Sequence, residues 1–276
     1  MKLSAWVAVG DLIPQKKTVF ERLVIGKFIY QSIFYYKNPK RVLLELKKNG
    51  VDGIELLLTA KTSEKDLDKI SKLIKQLDMK IFSIHQPLSK LFNISILEIN
   101  NLCQVAKKLS AKVVVLHINV IGNQIFDKKY ILNLKNLEKD YGIKIGIENS
   151  PKSILTLFKP HQWKQKEFSM LIKNNGLNIT FDTTHLAQVG GNILDFYANN
   201  KQRIVNIHLS DYKKHPRNTI LLMTHDTHLP ISKGILPMKE FLQTLKMNKY
   251  DGLITMEINS NLEDLSQSAK FIKNNF

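Results

Sequence analysis

Short apolar segments rich in β-branched residues alternate along the chain with longer segments whose apolar residues recur every three or four positions. In the segment 63–78, for example, Leu67, Ile70, Ile74 and Leu77 fall on one face of a helix. This alternation is typical of repeated βα units around a parallel sheet. Eight strands are predicted, at residues 3–9, 51–58, 79–85, 112–118, 143–149, 177–182, 203–209 and 252–258.

The number of βα units decides between two arrangements of the sheet. Strands that are apolar on both faces must be covered on both sides, and eight such units in 276 residues favour closure into a barrel. An open, doubly wound sheet is the alternative, but it calls for a glycine-rich phosphate loop, and neither G-x-G-x-x-G nor G-x-x-x-x-G-K-[ST] is present. We therefore predict the α/β class and a (β/α)₈ TIM barrel, formed as a single domain by residues 1–276.

Two stretches exceed a minimal barrel. An aromatic-rich insertion at about residues 11–40 contains Phe28, Tyr30 and the run Phe34–Tyr36. We expect these rings to pack on the barrel, with a lid, a dimer arm or a stacking surface as alternatives. Residues 210–236 are predicted to form a long loop after the seventh strand, and loops of this length in compact domains are often functional.

The composition indicates the cellular compartment of the protein more clearly than its activity. A single cysteine, Cys103, excludes an internal disulfide, fits a reducing cytoplasm and is interpreted as a small buried hydrophobe. No signal peptide or membrane span is predicted, so we expect a cytoplasmic protein without a membrane partner. The formal net charge of +17 suggests a polyanion partner. Only four of the 41 basic residues are arginine, however, so a lysine-rich composition without a phosphate-binding face is an equal alternative.

Residue types that bind metal end six consecutive predicted strands, the third to the eighth. The reactive residues of a (β/α)₈ barrel lie at these strand ends, and burying so many ionisable groups would cost several kcal/mol each without a compensating cation. A mixed imidazole and carboxylate set without thiolate suits Zn²⁺ or Mn²⁺. The strand-end residues are His85, His117, Glu148, Asp182, His208 and Glu257, and the turns that follow add His185, Asp226 and His228.

Several segments in this region resemble one known group of barrels from residue 50 onward. They are GVDGIEL, SIHQP, VVLH, GIEN, FDTTH, HLSD, the spacing H-x-x-x-x-x-G from His228 to Gly234, and YDGLITMEI. With them the chain resembles the xylose isomerase-like barrel superfamily. That superfamily includes sugar isomerases and epimerases, and also the endonuclease IV family (AP endonuclease family 2) of abasic-site endonucleases.

The resemblance implies two different ligand sets. Sugar isomerases and epimerases of this kind hold one divalent ion, such as Mn²⁺, Co²⁺ or Mg²⁺, with a quartet that corresponds here to Glu148, Asp182, His208 and Glu257. Endonuclease IV enzymes hold three Zn²⁺ ions with nine ligands. Candidates for all nine are present: His85, His117, Glu148, Asp182, His185, His208, Asp226, His228 and Glu257.

Two enzymatic hypotheses follow, and the more specific nine-position match favours the first. It is a zinc phosphodiesterase acting at abasic sites in DNA, with Glu148 and Glu257 as its catalytic carboxylates. The first strand, SAWVAVG, lacks the His usual in such nucleases, and the loop TAKTSEK offers no Arg to probe DNA. The alternative is a sugar or sugar-phosphate isomerase or epimerase, in which the same two glutamates transfer protons and Lys233 contacts a phosphate. A purely structural metal site is disfavoured, because structural zinc sites are closed and four-coordinate.

Overall fold

The computed structural model describes residues 1–13, 38–90, 94–117, 127–149, 165–214 and 225–276, with the backbone alone at residues 225 and 226. Its strands are β1 (Lys2–Ala8), β2 (Gly53–Leu57), β3 (Lys80–His85), β4 (Val113–His117), β5 (Lys144–Glu148), β6 (Asn178–Asp182), β7 (Ile204–Leu209), β8 (Asp211–Lys214), β9 (His225–Leu229) and β10 (Leu253–Met256). Its α-helices are α1 (Val9–Leu12), α2 (Pro39–Lys48), α3 (Glu64–Gln76), α4 (Ile96–Lys108), α5 (Lys128–Tyr141), α6 (Gln165–Asn175), α7 (Thr183–Gln188), α8 (Ile193–Asn200), α9 (Met238–Met247) and α10 (Leu262–Asn275).

Eight of these strands close into a parallel barrel in the order β1-β10-β7-β6-β5-β4-β3-β2. All eight were predicted from the apolar segments, and their boundaries differ from the predicted ones by at most two residues. The (β/α)₈ prediction is therefore confirmed. That residues 1–276 form one domain stays a prediction, because residues 14–37 of the expected insertion lie outside the described residues.

Local signals in the sequence set where the helices begin and end. Ser63 caps α3, because its Oγ accepts a hydrogen bond from the Asp66 amide at 3.2 Å while the Asp66 carboxylate accepts one from the Ser63 amide at 3.1 Å. At the end of α5, Gly142 adopts a left-handed conformation with φ of 63°, which costs glycine nothing. The chain can thus turn at once into β5, the strand that ends in Glu148.

Side chains alternate between the two faces of each strand. The outward face packs apolar residues against the helices and forms most of the core, as Ile54 and Leu56 do in β2. The inward face is polar towards the carboxyl end of the barrel, where Glu55 of β2 contacts Ser83 of β3 and Asn206 of β7. Because the period is two residues, His85, two positions after Ser83 in β3, and His208, two positions after Asn206 in β7, lie on this same inward face.

The prediction of a loop over residues 210–236 is wrong in part. Strands β8 and β9 pair antiparallel within it, with Asp211 opposite Leu229 and Lys214 opposite residue 225. Their sequences, DYKK and HDTHL, lack the apolar alternation by which a strand is recognised.

A membrane span requires a helix of sufficient length and hydropathy. None of the helices, within the described residues, meets both requirements.

Candidate metal centre

Among the residues that the structure describes, three overlapping groups of side chains meet at the carboxyl end of the barrel. Within each group, one ligand atom per residue lies within 4.8 Å of the others. Glu148 and Asp182 each belong to two groups, so the three form one continuous cluster. The groups are His85, His117 and Glu148; Glu148, Asp182, His208 and Glu257; and Asp182, His185 and His228.

Eight of the nine ligands predicted from the sequence therefore converge, while metal binding itself stays a prediction. The side chain of Asp226, the ninth candidate, lies outside the described residues. Lys233 is exposed in the turn after β9 and belongs to none of the three groups. Its predicted contact with a substrate phosphate stays a prediction.

Glu148 is the centre of the cluster. Its Oε1 lies 3.0 Å from Nδ1 of His185 and 3.6 Å from Nδ1 of His208. Its Oε2 lies 3.3 Å from Nε2 of His117 and 3.5 Å from Nε2 of His85. One buried carboxylate at the end of β5 thus faces four imidazole rings, and those rings come from four other points of the barrel rim.

Neighbouring residues hold the ligands in place. Asn149 accepts a hydrogen bond from the Asp182 amide at 2.8 Å and donates one to the Asp182 carbonyl at 2.9 Å, which ties the ends of β5 and β6 together. Asp182 also caps α7 by accepting from the His185 amide. Nδ1 of His85 lies 2.7 Å from the Gln86 carbonyl, which leaves Nε2 of that ring facing Glu148. The cluster is therefore preorganised by hydrogen bonds outside it.

The donor set fits a divalent cation. Among the described residues, several buried ligand atoms have no hydrogen-bond partner, an arrangement that costs free energy unless another group satisfies them. A cation that accepts both imidazole nitrogen and carboxylate oxygen, such as Zn²⁺ or Mn²⁺, would do so. The unpartnered atoms are His117 Nε2, Glu148 Oε1 and Oε2, Asp182 Oδ2, His208 Nδ1 and Nε2, Glu257 Oε2 and, beneath them, Glu55 Oε1.

Burial and charge act differently on the imidazoles. Burial lowers the pKa of His117 to about 4, so this ring is neutral and ready to act as a ligand. Burial also opposes the charged form of His185, but the Asp182 and Glu148 carboxylates outweigh it and raise the pKa of His185 to about 9. In the absence of a cation, a proton on His185 therefore balances part of the carboxylate charge, and a cation bound there would displace it.

Glu55 belongs to the site but does not lie at a strand end, so the strand-end pattern does not identify it. It lies in the middle of β2, is fully buried and points into the barrel beneath His208. The signal available in the sequence was a single carboxylate inside the apolar run GIELLL, since an isolated charge in a buried strand requires a partner. Cys103 is fully buried in α4, as predicted, and burial raises the pKa of its thiol to about 12.

The closed barrel, with imidazole and carboxylate groups gathered at its carboxyl end, defines the class as a (β/α)₈ barrel with a candidate metal centre. More particularly, the chain belongs to the xylose isomerase-like TIM barrel family, whose model matches residues 43–275. The resemblance seen in the sequence is therefore confirmed.

Related proteins extend over almost the whole chain. An uncharacterized protein of Methanocaldococcus jannaschii is 28% identical over 278 residues, covering 90% of this chain and 88% of that one. A D-tagatose 3-epimerase-like protein is similar in structure, with a TM-score of 0.66, 22% identity and coverage of 99% and 96%. The IOLI protein with a bound zinc atom has a TM-score of 0.67, 18% identity and coverage of 100% and 99%. At these identities the two structures establish the shared fold.

Proposed function

We propose that the protein is a divalent-metal-dependent isomerase or epimerase of a small sugar or sugar phosphate. The group of Glu148, Asp182, His208 and Glu257 carries the proposal, because it offers three carboxylates and one imidazole to a single cation. A bound Mn²⁺, Co²⁺ or Mg²⁺ would polarise the carbonyl and hydroxyl oxygens of a sugar. The similar D-tagatose 3-epimerase-like structure supports a sugar as the substrate.

Glu148 and Glu257 are the groups that would transfer protons. Burial favours the protonated form of both, but neighbouring histidines outweigh it and hold the pKa of each below the usual range. Each is therefore a carboxylate at neutral pH, able to accept a proton from carbon. The side chain of Glu257 is 18% exposed and that of Glu148 is 1% exposed. We assign removal of the proton from carbon to Glu257, which faces the mouth. Glu148 would take the proton of a neighbouring hydroxyl and return it to oxygen, and the protonated Glu257 would return its proton to carbon, so both glutamates end the cycle as carboxylates.

The zinc phosphodiesterase acting at abasic sites in DNA, which the nine-position match in the sequence favoured, becomes the second candidate, because the similar structures include several sugar epimerases. The observation that favours it is the presence of two further ligand groups, which a one-metal site does not require. One contains His85 and His117, and the other contains His185 and His228. Several cations held close together would activate a water and clamp the attacking and leaving oxygens of a phosphodiester. The net charge of +17 is compatible with an anionic partner of this kind.

The test measures sugar chemistry and DNA cleavage on one preparation. The protein is loaded with Mn²⁺ or Zn²⁺ and incubated in D₂O with a panel of ketoses, aldoses and their phosphates. Proton NMR then detects new sugar signals or deuterium at a C–H position. The main proposal expects one of these changes, dependent on metal, together with about one tightly bound divalent ion per chain. The same preparation is assayed for nicking of a DNA duplex with one abasic site.

Two variants separate the candidates. Glu257→Gln should abolish the sugar reaction, while Glu240→Gln, at an exposed glutamate of α9, should leave it unchanged. His117→Ala removes a ligand of an additional group only, so the sugar reaction should survive it within a few-fold. The second candidate would replace the main proposal if three results came together: DNA nicking that is lost in His117→Ala, about three bound zinc ions per chain, and no reaction with any sugar.

A further inference from the structure

A polar layer lies inside the barrel, one step below the ligand cluster. Its centre is Glu55, whose side chain is fully buried. Glu55 Oε2 accepts a hydrogen bond from Ser83 Oγ at 2.6 Å and another from Asn206 Nδ2 at 2.9 Å. Asn206 Oδ1 in turn accepts from Thr255 Oγ1 at 3.0 Å. Groups from β3 and β7 thus hold one oxygen of the carboxylate, and Thr255 of β10 in turn holds Asn206.

The other oxygen of Glu55 faces the candidate metal centre. Oε1 lies 2.9 Å from Nε2 of His208, a contact between charged groups that lacks hydrogen-bond geometry. The second ring nitrogen of His208, Nδ1, lies 2.8 Å from Oε2 of Glu257 and 3.6 Å from Oε1 of Glu148. The imidazole therefore stands between the carboxylate beneath it and the ligand carboxylates above it, with one nitrogen towards each.

We propose that Glu55 is a positioning residue: its negative charge, 2.9 Å from Nε2 of His208, favours the ring proton on that nitrogen and thereby commits Nδ1 to the cation. The inference deepens the proposed function, since it rests on His208 being a metal ligand. A carboxylate behind a ligating histidine fixes the tautomer and the ring orientation and makes the ligand more basic. Without Glu55, the ring would be free to turn or to carry its proton on Nδ1, which would block the ligand position.

The other histidines of the cluster show why a carboxylate here requires an explanation. Nδ1 of His85 contacts the backbone carbonyl of Gln86, so a neutral acceptor suffices for that ring. Nδ1 of His185 contacts the Asn149 carbonyl as well as Glu148, which is itself a candidate ligand. A fully buried glutamate is costly unless its charge is compensated, and an apolar residue would fill the same space in β2 without that cost. The buried charge of Glu55 is accounted for if Glu55 orients His208 towards a cation.

The first test compares zinc affinity by competition with a chelator. Glu55→Gln keeps the size of the side chain and removes its charge, and it should weaken Zn²⁺ binding about 10- to 100-fold. The matched control is Glu138→Gln, because the Glu138 carboxylate also accepts two hydrogen bonds, from the Ile145 amide and Asn178 Nδ2, but belongs to no ligand group. It should leave Zn²⁺ affinity unchanged. In a His208→Ala background, Glu55→Gln should cause no further loss, because it acts through that ring.

The second test observes which nitrogen of the His208 ring carries the proton. It uses the wild-type protein, so it does not depend on whether a variant folds. In ¹⁵N-histidine NMR of the zinc-loaded protein, His208 should carry its proton on Nε2, protected from exchange, with Nδ1 bound to the metal. A proton on Nδ1, an affinity of Glu55→Gln within twofold of wild type, or an equal loss in the His208→Ala background would overturn the inference alone. If the wild-type protein binds no Zn²⁺ or other divalent ion, the proposed metal site fails, and this inference fails with it.

Discussion

Replacing Glu148 by glutamine should destabilise the metal-free protein in a manner that depends on pH. The substitution keeps the shape of the side chain but removes the charge that faces four imidazole rings. The clearest consequence concerns His185, because its Nδ1 lies 3.0 Å from Glu148 Oε1. A buried imidazolium that loses its carboxylate partner must give up its proton or remain uncompensated.

The magnitude follows from the pKa of His185. Against burial, Asp182 and Glu148 raise this pKa from 6.5 to about 9, and at about 1.4 kcal/mol per pH unit the shift corresponds to about 3 kcal/mol of stability. Because the folded-state pKa is raised, that stability is fully present below pH 6.5 and is lost as the pH rises through 9. Asp182 and Glu148 share the effect, so Glu148→Gln should cost about 1–3 kcal/mol at pH 6.5 and clearly less at pH 9.5.

Urea unfolding in EDTA at both pH values measures the effect. Glu138→Gln is the control, because its partners are a backbone amide and an asparagine, and neither titrates in this range. Its cost should therefore be the same at pH 6.5 and 9.5. If Glu148→Gln costs less than about 0.5 kcal/mol at pH 6.5, or the same at both pH values, the electrostatic reasoning about the cluster is refuted.

Three further predictions concern the site and its support. Against burial, Glu55 and Glu148 raise the pKa of His208 well above its usual value. Metal binding should therefore release about one proton per ion at pH 7, and the metal affinity should rise between pH 6 and pH 8. Calorimetry in two buffers of different ionisation enthalpy measures the proton release, and zero release would contradict the prediction. Gly146→Ala places a Cβ 2.3 Å from Thr180 Oγ1, so it should lower the free energy of unfolding in urea by about 1–3 kcal/mol. The control, Gly10→Ala, has open space around its Cβ and should lower it far less. Equal losses in the two variants would contradict the crowding at Gly146. Because burial raises the pKa of Cys103 to about 12, a thiol reagent such as DTNB should label it only after unfolding, and rapid labelling of the native protein would show that the site is open.

The sequence was sufficient to place the barrel and its rim because both depend on local patterns. A parallel strand covered on both faces is a continuous apolar run, and its carboxyl end is marked by the first ionisable residue, as at His85 and Glu148. Glu257 follows the last residue of β10 directly and was found by the same rule. Barrel closure then brings these ends together, although they are far apart along the chain.

Other features depend on contacts that no local pattern reveals. The role inferred for Glu55 arises from its partners on other strands, Ser83 and Asn206. The β8–β9 hairpin was missed because DYKK and HDTHL carry no regular alternation of apolar and polar residues, and within the described part of the chain these strands pair with each other rather than with the barrel. The sharing of Glu148 between two ligand groups is likewise a property of the assembled rim, since sequence order says nothing about which imidazoles reach one carboxylate.

The polar interior also indicates which part of the barrel stabilises the fold. The interior of a (β/α)₈ barrel is usually filled by branched apolar side chains, yet here Glu55, Asn206 and Thr255 occupy inward positions below the ligands. Their apolar neighbours in sequence, such as Ile54, face the helices and are fully buried. The interface between strands and helices therefore supplies most of the hydrophobic stabilisation, and the carboxyl half of the interior can hold charges at a cost that a bound cation would offset. On this argument, removing the metal should lower stability more than removing any single interior hydrogen bond.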